Sequence, residues 1–175
     1  MIVLTDGVPT INPEQTIPEA VQTRNRGIGI IAVGITRFID EDTLRDMSSS
    51  PQQRDKNYFS SPDFNRLDEI LDGIIGQACV TPSPTPRPTP APTPRPTPAP
   101  TTCASAKLDI IFAVDGSGSI CDNDPTFLNN RCNNWDLMIT FIENIVNFLG
   151  IGRDASQVGL VTFANEAIVQ FGLNE

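Results

Sequence analysis

The stretch Phe112–Cys121, FAVDGSGSIC, decides how the chain is read. An apolar run ends in Asp115, and two glycines then alternate with Ser117 and Ser119. Extended upstream, the run is KLDIIFAVD (Lys107–Asp115), a near-continuous apolar segment of the kind buried on both faces of a parallel sheet. In open α/β sheets, ligands bind beyond the carboxyl ends of the strands, and that is where this segment delivers Asp115. The glycines let the backbone turn, so one carboxylate and two hydroxyls at alternate positions can face one point. Hard oxygen donors of this type suit a magnesium-like divalent cation, with manganese and calcium as alternatives. A plain surface turn is the competing reading of DGSGS, and its place directly after a buried strand argues against it.

Other chemistries fit less well. The lysine and the GKS or GKT ending of a P-loop are missing, and no GxGxxG follows a strand. A nucleophilic serine would need GxSxG and a base, yet the motif is absent and the chain has no histidine. The lack of histidine also excludes His-ligated zinc. A phosphate-binding α/β enzyme would require a base and a lysine that this sequence does not offer.

A second switch from apolar run to aspartate opens the sequence, in IVLTDGVP, and places Asp6 at another strand end. Strand and helix patterns alternate after it. TIPEAVQTRNRG predicts a helix with Thr16 as N-cap, Glu19 completing a capping box and Gly27 closing it. IGIIAVGI (Ile28–Ile35) predicts a buried strand, DEDTLRDMSS a short helix capped by Asp40, and NYFSS a third strand. Leu67, Ile70, Leu71, Ile74, Ile75 and Ala78 recur at helical spacing and end near Cys79. Beyond Asp115, the apolar positions from Trp135 to Leu149 mark a long helix, and QVGLVTFAN with AIVQFGL reads as a hairpin. The alternation predicts an α/β fold, a mostly parallel sheet covered by helices.

Residues 80–102 interrupt this pattern. They contain TPRPTPAP twice in tandem (Thr85–Pro92 and Thr93–Pro100), and proline at alternate positions enforces extended polyproline II. This Pro/Thr-rich linker is a semi-rigid spacer between two pieces, residues 1–79 and 103–175, each small for an independent core. Its composition also resembles O-glycosylated extracellular stalks.

Net charge is −9, with −5 in residues 1–79 and −6 in residues 103–175 against +2 in the linker. An acidic chain without basic clusters argues against nucleic acid and anionic lipid as partners. No apolar run approaches a membrane span, so no membrane insertion is expected. Four cysteines without a CxxC pair fit disulfides, with three possible pairings, although free thiols are the alternative.

DIIFAVDGSGSI resembles the first strand and DxSxS loop of the von Willebrand factor type A domain family. VGLVTFANEAIVQFGL resembles that family's following hairpin, while IVLTDGVP, RGIGIIAVGI, LRDMSSSP and the helix before Cys79 resemble its second half. The resemblance implies a doubly wound, Rossmann-like sheet and a metal-ion-dependent adhesion site. Asp115, Ser117, Ser119 and Asp6 would be its ligands, and a carboxylate of a protein partner, such as a matrix protein, would complete it. It implies an extracellular protein, secreted or at the cell surface. The alternative is a structural matrix module with a vestigial site, acting through protein contacts alone. The order is inverted, because the second-half motifs precede the first-half motifs. The expectation is therefore a C-terminal half-domain (1–79), a linker (80–102) and an N-terminal half-domain (103–175) from a tandem array, with other type A domains as neighbours. The section of the family that carries a further ligand threonine is not among these residues. By the same resemblance, Cys121 pairs locally with Cys132, Cys79 can meet Cys103, and the two halves can pair with each other, bringing Asp6 beside Asp115.

Overall fold

The apolar run that carries Asp115 becomes β4 (Asp109–Asp115), one of two central strands of a six-stranded sheet. The other is β1 (Ile2–Thr5), and the two lie parallel with Ile2 beside Phe112, Val3 beside Ala113 and Leu4 beside Val114. The computed structural model describes residues 1–79, 107–122, 124 and 132–173. Outward from β1 come β2 (Ile31–Ile35) and β3 (Tyr58–Ser61); outward from β4 come β5 (Gln157–Phe163) and β6 (Ala167–Phe171). The order β3-β2-β1-β4-β5-β6 is parallel except for the β5–β6 hairpin. The two pieces read from the sequence thus share one sheet.

Alternation along the strands sends side chains to two layers. Ile110, Phe112 and Val114 join Leu4, Val33 and Phe59 under α3 (Asp68–Ala78) and α5 (Asn133–Asn147) in the main core. Phe112, Phe141, Met138, Ile74 and Leu4 have at most 1% of their surface exposed. The opposite face holds a smaller cluster of Val3, Ala20 and Ile30, with Ala113, Met47 and Phe163 packed against it. That side is covered by α1 (Pro13–Asn25) and α2 (Glu41–Met47). α2 lies close over Gly34, where an added Cβ would stand 2.5 Å from Leu44 Cδ1. Any larger residue there would require the Leu44 and Ile39 side chains to move.

Two local expectations change, and one short element is added. The first helix begins at Pro13, not Thr16, with Asn12 as its N-cap in the left-handed conformation (φ 47°) and no side-chain cap bond. Proline's fixed φ suits the first helical position, so the helix starts a turn earlier than a Thr16–Glu19 capping box requires, and Pro18 sits inside it. β2 forms only from Ile31, because Gly27 turns with φ 84° and the Ile28 N–H still donates to Thr23 O. A four-residue helix, α4 (Ser119–Asp122), follows the glycine loop directly. The cap at Asp40 is as read: its carboxylate accepts from Asp42 N at 3.1 Å. The extended linker expected over 80–102 lies outside the described residues, as does Cys103; Cys79 is disulfide-bonded.

Because β1 and β4 share buried neighbours, damage in residues 1–79 must be felt in residues 107–173. Leu4→Ala removes a fully buried side chain and is expected to cost about 2–5 kcal/mol. The sole indole, Trp135, lies on α5 and reports the other half. Urea unfolding followed by Trp135 fluorescence should show the same lowered midpoint as far-UV circular dichroism; an unmoved Trp135 transition would mean that the halves unfold independently.

Candidate functional site

Parallel pairing of β1 and β4 brings their carboxyl ends side by side, and with them Asp6 and Asp115. Both are buried, at 2% and 7% exposure. The glycine loop turns back over the strand end, and the Ser117 N–H donates to Asp115 Oδ1 at 2.9 Å. Thr5 Oγ1, at the end of β1, donates to Asp115 Oδ2 at 2.7 Å across 110 residues of sequence. Ser119, in the first turn of α4, donates its hydroxyl to Asp6 Oδ1 at 2.8 Å. Ser117 Oγ and Ser119 Oγ are 2.9 Å apart. Since the Ser119 proton goes to Asp6, Ser117 is the donor of that pair. The four side chains expected from the sequence stand together in one hydrogen-bonded group.

One atom is left out. Asp6 Oδ2 is buried and has no hydrogen-bond partner among the described residues. Leaving a buried acceptor unpaired is costly, more so for a charged one. Burial accordingly pushes the Asp6 carboxyl above the usual carboxylate range, with the nearby charge of Asp115 adding to it and the Ser119 hydrogen bond opposing it. Among the described residues no cluster of three or more His, Cys, Asp or Glu side chains exists. The donor set here is instead two carboxylates and neighbouring hydroxyls.

Two threonines escaped the sequence reading. Thr5 is adjacent to Asp6, but its bond to Asp115 follows only from the β1–β4 register. Thr36 Oγ1 donates to Asp6 O at 2.9 Å and so holds the backbone of that aspartate. Thr36 has φ 84°, a conformation costly for a β-branched residue, and nothing in the sequence signals it.

The back of the glycine loop is fixed by covalent and polar links. Cys121 in α4 is bonded to Cys132, the N-cap residue of α5, as expected. Asp124 Oδ2 accepts from the N–H groups of Asn133 (2.6 Å) and Asn134 (3.3 Å), capping α5 from outside the helix. Asn134 Nδ2 donates to Ile120 O at 2.9 Å. Together these tie the start of α5 to the helical turn that presents Ser119.

A cavity of about 500 Å³ opens beside the aspartates and is bordered by Asp6, Asp115, Ser117 and Ser119. A larger one, about 990 Å³, lies between α5 and the β5–β6 end of the sheet among apolar side chains such as Ile142, Val146 and Leu160. It is remote from the carboxylates and carries no part of this site.

The fold and the strand-end oxygen cluster together define a class of protein. The sequence profile of the von Willebrand factor type A domain matches residues 1–73 and 109–175, and the chain belongs to that family. It is similar to the collagen alpha-4(VI) chain of Mus musculus, with 30% identity over 175 residues that cover 99% of this chain and 6% of the relative. Matrilin-1 of Mus musculus is 26% identical over 197 residues, covering 99% of this chain and 36% of the relative. Among solved structures, proximal thread matrix protein 1 from the mussel byssus, with a zinc-occupied MIDAS motif, is 28% identical. That match covers 98% of this chain and 36% of that one, with a TM-score of 0.38. These relatives are extracellular-matrix proteins, and this chain spans only a small part of the collagen chain and about a third of matrilin-1. Among the described residues, no helix is long and apolar enough to cross a membrane.

Two outcomes test the geometry. Asp6→Asn removes a buried charge with an unpaired oxygen, and should stabilise the metal-free protein by about 1 kcal/mol in urea titration. Opening Cys121–Cys132, which spans 11 residues, by the double substitution Cys121→Ser and Cys132→Ser should cost about 3 kcal/mol on chain-entropy grounds.

Proposed function

We propose that this chain is a metal-ion-dependent adhesion module, a protein-binding part of a secreted or cell-surface matrix protein with tandem type A domains. The observation that carries the reading is the unpaired, buried Asp6 Oδ2 in the wall of a cavity shared with Asp115, Ser117 and Ser119. Two carboxylates and two hydroxyls fit a small, hard divalent cation, magnesium first and manganese or calcium as alternatives. Asp115, Ser117, Ser119 and Asp6 are the residues that would hold it, and a bound cation supplies the positive charge that attracts a partner's carboxylate. Thr5 and Thr36 then act as positioning residues, one through the Asp115 side chain and the other through the Asp6 backbone. The sequence offers no histidine to act as base and no GxSxG serine, which supports a binding role over catalysis.

The order of motifs supports residues 1–79 and 103–175 as the C-terminal half of one domain and the N-terminal half of the next, joined by the Pro/Thr-rich linker 80–102. Longer relatives match across 99% of this chain, which is consistent with a tandem arrangement and with an extracellular location.

A second reading has its own observation. Three of the four carboxylate oxygens of Asp6 and Asp115 already accept hydrogen bonds from the protein. A structural matrix module with a vestigial site would look similar. Thermal unfolding with added magnesium or manganese separates the two. The adhesion reading expects stabilisation that grows with cation concentration, about 2.7 kcal/mol at 100 times the dissociation constant, and its loss in Asp115→Ala. No shift with either cation would leave the structural reading in place.

A further inference from the structure

We propose that the cavity beside Asp6 and Asp115 is a recognition pocket for an aliphatic side chain adjacent to the partner's carboxylate, with Val8 and Ile11 as specificity-determining residues; this rests on the adhesion reading of the site. The loop after Asp6 is GVPTIN (7–12). It is held in one shape by Pro9, by the left-handed Asn12 and by Pro13 at the helix start, with Gln15 N donating to Asn12 O at 2.9 Å. This braced loop exposes two large aliphatic groups, Val8 at 51% and Ile11 at 53%. They contribute little to the core, since half of each surface remains in water. Both border the 500 Å³ cavity whose inner walls include Leu44, Met47 and Phe163 and whose polar end is the Asp6–Asp115 pair. The space exceeds one side chain and continues from the carboxylates onto apolar surface without a break.

Charge determines which partner enters. Among the described residues, Asp6, Asp40 and Asp115 line the cavity and no lysine or arginine does. An acidic group is repelled until a divalent cation neutralises the aspartates, whereas a lysine side chain would be drawn in without one. The partner is therefore a protein segment in which an acidic residue lies next to a bulky aliphatic one, captured only when cation is present.

The test is an NMR titration of the whole chain with three short synthetic peptides: glutamate followed by leucine, glutamate followed by glycine, and lysine followed by leucine. With magnesium present, the glutamate–leucine peptide should bind about tenfold more tightly than the glutamate–glycine peptide, the gain from partly burying one aliphatic side chain. The shifted signals should include the methyls of Val8, Ile11 and Met47. Chelation should abolish binding of both acidic peptides. In the double variant Val8→Ser, Ile11→Ser, whose fold is checked by Trp135 fluorescence, the leucine preference should vanish. A magnesium response with equal binding of the two acidic peptides overturns the pocket and leaves the adhesion reading intact. No magnesium response in the wild-type chain overturns both, and tightest binding of the lysine peptide without magnesium overturns the acidic partner.

Discussion

The parallel contact between β1 and β4 is the constraint on which the rest depends. It comprises three residue pairs, with Ile2, Val3 and Leu4 on one side and Phe112, Ala113 and Val114 on the other. Parallel partners cannot be joined by a tight turn, so the pairing must be specified by side chains. Leu4, Phe112 and Val114 do this by complete burial under α3 and α5. The same pairing aligns two strand ends that each carry an aspartate. Core formation and site formation are thus one event, and the hydrogen bonds from Thr5 to Asp115 and from Ser119 to Asp6 cross the same seam.

The site itself is electrostatically uncomfortable. Two buried carboxylates stand near each other, and one oxygen has no donor. The surrounding structure tolerates this because the hydroxyls of Thr5, Ser117 and Ser119 and one backbone N–H supply compensating dipoles. Thr36 adds backbone strain on the same side. Unsatisfied charge and strained backbone thus lie together in one place, at a cost to stability.

How much of this was legible in the sequence depended on how local the cause was. β1, β2 and β4 announce themselves as continuous apolar runs because both of their faces are covered, and α3 and α5 show as apolar stripes because only one of theirs is. Asp40 was readable as a cap because its partner, Asp42 N, is two residues away. The start of α1 was not, since the Thr16–Glu19 signal competed with a proline at position 13 and a left-handed Asn12 that no composition rule requires. Asp6, Asp115, Ser117 and Ser119 could be named from their motifs. Thr5 could not, because its role depends on strand register, and Thr36 could not, because its role depends on a positive φ.

β6 ends the sheet, and all five of its residues are exposed, with Ile168, Val169 and Phe171 projecting from an uncharged strand. On its inner side a register shift opposite Leu160 and Val161 bends the ladder; on its outer side stands a row of backbone groups with no charge or proline to discourage a visitor. Among the described residues no strand pairs with that outer side, so the backbone there is a template on which an extended segment can pair without any contribution from the aspartates.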